Sequence, residues 1–175
     1  MLKRLFKPRP AQAAGRALYA EIVTQSRTPG LYADLGAPDT VEGRFELYSL
    51  HVYLLLERLK GQGEQAGETA QALFDTYLSA LDHSLREMGV GDLSVGKKMR
   101  KLGEAFYGRV SSLEDALSAL PDTTDLQAML ERTVYEGADA AKAPELAAYV
   151  LKQREALRAQ PIERACAGQV EWAPL

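Results

Sequence analysis

Apolar positions along the chain recur at three- and four-residue spacing, and no stretch alternates with the period of two that a half-buried strand shows. Helices separated by Gly and Pro follow from this pattern. The first, over about residues 11–25, pairs Leu18 with Ile22 and Tyr19 with Val23 at i, i+4, and ends before Thr28-Pro-Gly30. The loop from there to Pro38 holds Tyr32 and Leu35 and is expected to contain a short turn. Asp39-Thr-Val-Glu42 reads as an N-cap with a carboxylate three residues on, which satisfies the first free N–H groups of a helix. That helix runs to about residue 60. Phe45, Tyr48, Val52, Leu55, Leu56 and Leu59 fall on one side of it, and Leu47, Leu50, Leu54 and His51 on another. A helix apolar nearly all round is either central or has its second face covered by a partner. It is taken as the core element.

Gly61-Gln-Gly-Glu-Gln-Ala-Gly67 reads as a flexible connector. The next helix, about residues 68–88, carries the stripe Leu73, Phe74, Tyr77, Leu78, Leu81, Leu85 and Met88, and stops at Gly89. A further strong helix, about 95–107, aligns Val95, Met99, Leu102 and Phe106. Weaker ones follow at about 112–120, 123–135 and 144–160, the last with Pro144 at its first position. The fold class is therefore all-α, a single-domain irregular bundle of about six or seven helices. It spans 11–160, between a basic flexible arm over 1–10 and an aperiodic tail over 161–175 that is expected to be loop.

A length of 175 residues, with 46% hydrophobic and 26% charged positions, suits one globular domain that needs no disulfide or metal. The lone Cys166 has no internal partner, and a reducing compartment is expected. Five of the 21 basic residues (Lys3, Arg4, Lys7, Arg9, Arg16) fall in the first sixteen positions, where no acid occurs. The rest of the chain is thus more acidic than the net charge of -3 suggests. No apolar run follows the basic start, so a secretory signal is not expected, and none approaches the ~20 residues of a membrane span. The arm is expected to be solvated, with a weak attraction to anionic lipid or RNA as the sharper reading.

Little points to catalysis. His51 and His83 lie on different helices and share no metal-binding spacing, and His51 reads as a hydrogen-bonded core or interface residue. Cys166 has no histidine after it to form a Cys–His nucleophile. Gly91-Asp-Leu-Ser-Val-Gly96-Lys97 fits a phosphate-loop spacing, but Lys98 replaces the Ser/Thr that would hold Mg²⁺, and a helical segment precedes it instead of a strand. No catalytic residue, metal, cofactor or DNA partner is assigned. What remains is a helix expected to be capped by Asp92 or Ser94, with Lys97, Lys98, Arg100 and Lys101 in its first two turns. Cations there oppose the helix macrodipole. The set reads either as an anion-binding face or as a solvated face paired with Glu104 or with acids of a neighbouring helix.

Asp39-Thr40, Gly43-Arg44-Phe45, Leu50-His51, Leu85-Arg-Glu-Met-Gly-Val-Gly-Asp92, Val95-Gly-Lys-Lys-Met99 and Phe106-Tyr-Gly-Arg109 together resemble the ubiquinol–cytochrome c chaperone family, over about residues 19–120. The resemblance implies an all-helical, non-enzymatic assembly factor for the cytochrome bc1 complex. It also implies cytochrome b or another bc1 subunit as partner, and for mitochondrial members a ribosome and a small partner protein. The short stretch before the shared region leads to the expectation of a bacterial relative, acting in the cytoplasm and peripheral at the inner membrane, with the ribosome or an anionic membrane surface as further contacts. Partner contacts are expected at Arg44, His51, Arg86, Asp92, Lys97, Lys98, Arg100, Lys101, Tyr107 and Arg109. The 39–60 helix would floor a groove, the lysine face would supply charge, and Gly108 with Arg109 would add a turn and a cation. Replacing Leu55 with Asp buries an unpaired carboxylate at a cost of several kcal/mol. Leu55→Asp is therefore expected to abolish the cooperative unfolding transition in circular dichroism.

Overall fold

The computed structural model describes residues 10–175, so the basic start of the arm lies outside the described residues. Among them there are six helices of ten residues or more: α1 (Pro10–Ser26), α3 (Val41–Leu59), α4 (Glu64–Glu87), α5 (Asp92–Ser118), α6 (Thr124–Thr133) and α7 (Ala143–Ala159). Two five-residue helices, α2 (Pro29–Ala33) and α8 (Ile162–Cys166), complete the bundle. The all-α class holds.

At the centre is α3. Thr40, not Asp39, caps it: its Oγ1 accepts the Gly43 N–H at 3.1 Å, while Asp39 takes the Arg44 guanidinium at 2.6 Å. Leu47, Leu50, Val52, Tyr53, Leu54, Leu55 and Leu59 are all buried, because α3 packs against α1, α4, α5 and α7. Its second apolar face is covered by helices of its own chain. Two carboxylates fasten the wrapping. Glu46 accepts a two-pronged bond from Arg109 of α5, at 2.9 and 2.8 Å. Glu57 accepts from Arg154 and Arg158 of α7, at 2.7 and 2.8 Å.

Polar groups inside the core are matched, except the buried indole N–H of Trp172, which has no hydrogen-bond partner. Ser49 and Tyr77 share a hydroxyl pair at 2.8 Å. The fully buried His51 bonds the Leu47 carbonyl through Nδ1 at 2.7 Å and the Tyr149 hydroxyl through Nε2 at 2.8 Å. Gln25 donates to the same hydroxyl at 2.8 Å, and the Trp172 ring meets the imidazole edge-on at 5.2 Å. Burial lowers the His51 pKa from 6.5 to about 4.

The chain departs from the expected elements where packing overrides local pattern. The helix expected from 68 begins at Glu64, with Ala66 fully buried and Gly67 inside its first turns. The 95–107 and 112–120 helices are one element, α5, running through Gly103 and Gly108. Phe106, Leu113 and Leu117 keep one buried stripe across the junction, which offsets the roughly 1 kcal/mol a mid-helix glycine costs. Gly108 therefore makes no turn.

The tail is not free loop either. After α8, residues 171 and 173 are gripped by two glutamine side chains, Gln153 of α7 and Gln160 at its C-cap, each acting like a strand partner. Gln160 donates to the Glu171 carbonyl at 2.7 Å and accepts the Glu171 N–H at 2.8 Å. Gln153 does the same with Ala173, at 2.8 Å both ways. Trp172, between them, turns inward to His51.

The α1–α4 crossing requires a glycine. A Cβ at Gly15 would lie 2.6 Å from the Ala72 and Leu73 backbone. Gly15→Ala is expected to cost about 1–3 kcal/mol in denaturant unfolding, as overpacking does. At Gly108 an added Cβ meets open space. Gly108→Ala should raise stability by about 0.5–1 kcal/mol in the same assay.

Because the native His51 pKa lies below its unfolded value, the unfolded chain takes up the proton first. Stability from this site is complete above about pH 6.5 and falls at up to about 1.4 kcal/mol per pH unit as pH drops toward 4. His51→Asn should remove that slope between pH 6.5 and 5, read from urea midpoints at several pH values.

Candidate functional site

An apolar groove of about 340 Å³ opens where the N-terminal half of α3 emerges between its neighbours. Tyr19 and Val23 of α1 form one wall, and Leu81, Leu85 and Met88 of α4 the other. Phe45 and Tyr48 of α3 and Leu102 of α5 line it as well. Two of its apolar lining residues are open to solvent, Val41 at 62% exposure and Met88 at 57%. At one end, Arg27 lies 6.0 Å from the centre of the Tyr48 ring. Arg27 has no carboxylate partner among the described residues. Arg44, also lining the groove, holds the Asp39 carboxyl below its ordinary range through their hydrogen bond. A wider trough between α1 and α4, about 740 Å³, is lined by Gln12, Arg16, Glu68, Gln71, Asp75 and His83. Its lining is too polar to hold an apolar chain.

The expected contact residues separate into three sets. His51 belongs to the core: with no exposed surface it has nothing to offer a partner, and its nitrogens are both engaged internally. Its polarity is spent on joining α3 to α7. Arg44, Arg86, Asp92 and Arg109 are tied up in ion pairs within the chain, Arg44 with Asp39 at 2.6 Å. Arg86 bonds Asp82 at 2.7 Å and also Asp92. Arg109 is taken by Glu46. Asp92 therefore does not cap α5, and neither does Ser94; Gly91 stands at the cap position with no side-chain bond.

Lys97, Lys98, Arg100 and Lys101 form the third set. All four are exposed, and none has a carboxylate within 4.0 Å among the described residues. Glu104, the expected partner, is not paired to them. At 100° per residue, Lys98 stands on the same side of α5 as the groove-lining Leu102, one turn earlier. Lys97 and Arg100 point away from the groove, together with Tyr107, which is 63% exposed. The groove walls on α1 and α4 escaped sequence reading, because a hollow made by four helices leaves no local spacing. The one available signal was apolar Val41, set between the capping Thr40 and Glu42.

No helix among the described residues is long and apolar enough to cross a membrane. The family model described as ubiquinol-cytochrome C chaperone matches residues 33–172. That span runs well beyond Leu120, where the resemblance in the sequence was expected to stop, and takes in α6, α7 and α8. The chain is 26% identical over 165 residues to ubiquinol-cytochrome c reductase complex assembly factor 1 of Mus musculus, covering 93% of this chain and 55% of that protein. To the Xenopus laevis protein of the same name it is 26% identical over 141 residues, covering 79% of this chain and 70% of that one. The chain thus spans about half the length of the mouse relative. The crystal structure of the Cbp3 homolog from Brucella abortus has the same fold, with a TM-score of 0.86 and 38% identity over 99% of this chain and 97% of that one. With the family model covering most of its length, the chain belongs to the ubiquinol–cytochrome c chaperone family.

Proposed function

We propose that the protein is a non-enzymatic assembly chaperone for a cytochrome bc1 complex, and that its groove holds an apolar segment of cytochrome b or of another bc1 subunit. The observation that carries this reading is the pair of exposed apolar lips, Val41 and Met88, on a hollow floored by aromatic and aliphatic side chains. Apolar side chains left open around a concave site mark a surface that gains by being covered. The groove suits an extended or helical apolar segment, as in helix-in-groove recognition. Its unpaired Arg27 favours a segment with a carboxylate at that end, which sets orientation and on-rate more than affinity. The curated relatives are named as assembly factors of the ubiquinol-cytochrome c reductase complex, which agrees with a bc1 subunit as client.

Val41 and Met88 are exposed, so polar replacements there leave the core untouched. The double variant Val41→Ser, Met88→Gln is expected to unfold at the wild-type temperature. Its recovery of bc1 subunits in pulldowns from the source cells should fall by about tenfold, the equivalent of roughly 1.4 kcal/mol of lost apolar contact. Membranes of a deletion strain complemented with it should contain correspondingly less assembled bc1 complex. Wild-type recovery and wild-type assembly together would remove the groove from the function.

A further inference from the structure

The outward side of α5 carries a second surface, distinct from the groove. Leu93, Lys97, Arg100 and Lys101 stand at i, i+4, i+7 and i+8, and Tyr107 continues the same stripe two turns later. Leu93 is fully exposed at 102%, and Tyr107 at 63%. From one to the other the helix rises about 21 Å. Between them lie four unpaired cations, three of them on the stripe, and one exposed acid, Glu104, which stands on the stripe at i+4 from Arg100 and leaves the face a net positive charge. Of the acids at the nearby α4–α5 turn, Asp92 is already engaged by Arg86. The positive charge is thus left facing solvent. With α5 beginning at Asp92, Lys97 is its sixth residue, so these cations stand past the first turn where the helix dipole acts.

We propose that this face of α5 docks the protein on an anionic lipid surface, Leu93 and Tyr107 entering the headgroup boundary while Lys97, Arg100 and Lys101 lie among the headgroup charges. The shape decides for a bilayer. The stripe is a convex helix flank, which offers no hollow for another protein's side chains, whereas a soft interface accepts a protruding Leu and Tyr. A phosphate-binding nucleic-acid patch would account for the cations but gives exposed Leu93 nothing to do. The inference goes beyond the proposed client groove and does not depend on it, since it concerns other residues and another readout.

The test is flotation of the full-length chain with vesicles of phosphatidylcholine alone or mixed with phosphatidylglycerol, at low and moderate salt. The wild type is expected to float with the anionic vesicles only, and less so as salt rises. The variant Lys97→Glu, Arg100→Glu, Lys101→Glu should partition about a hundredfold less, at roughly a factor of five per cation. Lys97→Arg with Lys101→Arg should bind as the wild type. Leu93→Ser with Tyr107→Ser should lose binding at moderate salt, where charge alone is screened. The N-terminal arm is present in every variant, so any contribution from it cancels. Unchanged flotation of the charge-reversed protein would overturn the proposal. So would an unchanged Leu93/Tyr107 variant, which would mark a simple polyanion patch, and so would absence of wild-type binding. Bc1 subunit recovery by these variants in detergent reports on the groove separately, so the two readings can fail independently.

Discussion

The structure depends on enclosing a single helix that is apolar on nearly every side. Residues 47–55 of α3 leave no face that water can cover without cost, so α1, α4, α5 and α7 have to surround it. Apolar burial supplies the drive, but it has no direction. Direction comes from Glu46 and Glu57, which sit three turns apart on α3 and bind arginines of α5 and α7 through two-pronged contacts. Such half-buried pairs add little net stability, because desolvation offsets most of the attraction. They do exclude alternative rotations of the wrapping helices, which would strand a carboxylate. The groove exists because this enclosure is incomplete at one end. At residues 41–48, α3 extends between α1 and α4 with no fifth helix over it, leaving Phe45 and Tyr48 half-covered.

Helix identity was legible in the sequence wherever one stripe of apolar residues was strong, as in 73–85 and 45–59. Boundaries and connections were less so, for specific reasons. Gly108 read as a turn, yet it lies where a helix loses only intrinsic propensity, and Leu113 and Leu117 on the far side hold α5 in register. Asp39 and Thr40 are both good capping residues, and the choice fell to Thr40 because Arg44 competes for Asp39. The last fifteen residues have no periodicity since their order comes from side-chain amides reading a neighbouring backbone. Family resemblance was recognisable through α5 and became invisible after it, although the relationship runs on to residue 172.

Of the candidate site, its charge was legible and its shape was not. The cations of α5 stood out by breaking a helix rule, and they are indeed exposed and unpaired. Arg86, Asp92 and Arg109 looked equivalent to them in one dimension, but ion pairs within the chain engage all three, Arg86 and Asp92 locally and Arg109 with Glu46 across the bundle. His51 shows the converse case. A histidine in a conspicuous motif proved to be an internal connector, satisfied on both nitrogens by groups 4 and 98 residues away.

The glutamine grip on the C-terminal segment carries an evolutionary corollary. Gln153 and Gln160 engage peptide groups, so they are indifferent to which side chains occupy positions 171 and 173. Point substitution there is cheap. Spacing is another matter: inserting or deleting one residue between the two gripped amides would invert the alternation and swing the indole outward, off the imidazole. Across relatives, positions 171 and 173 should vary in side chain while the spacing around the inward indole stays constant.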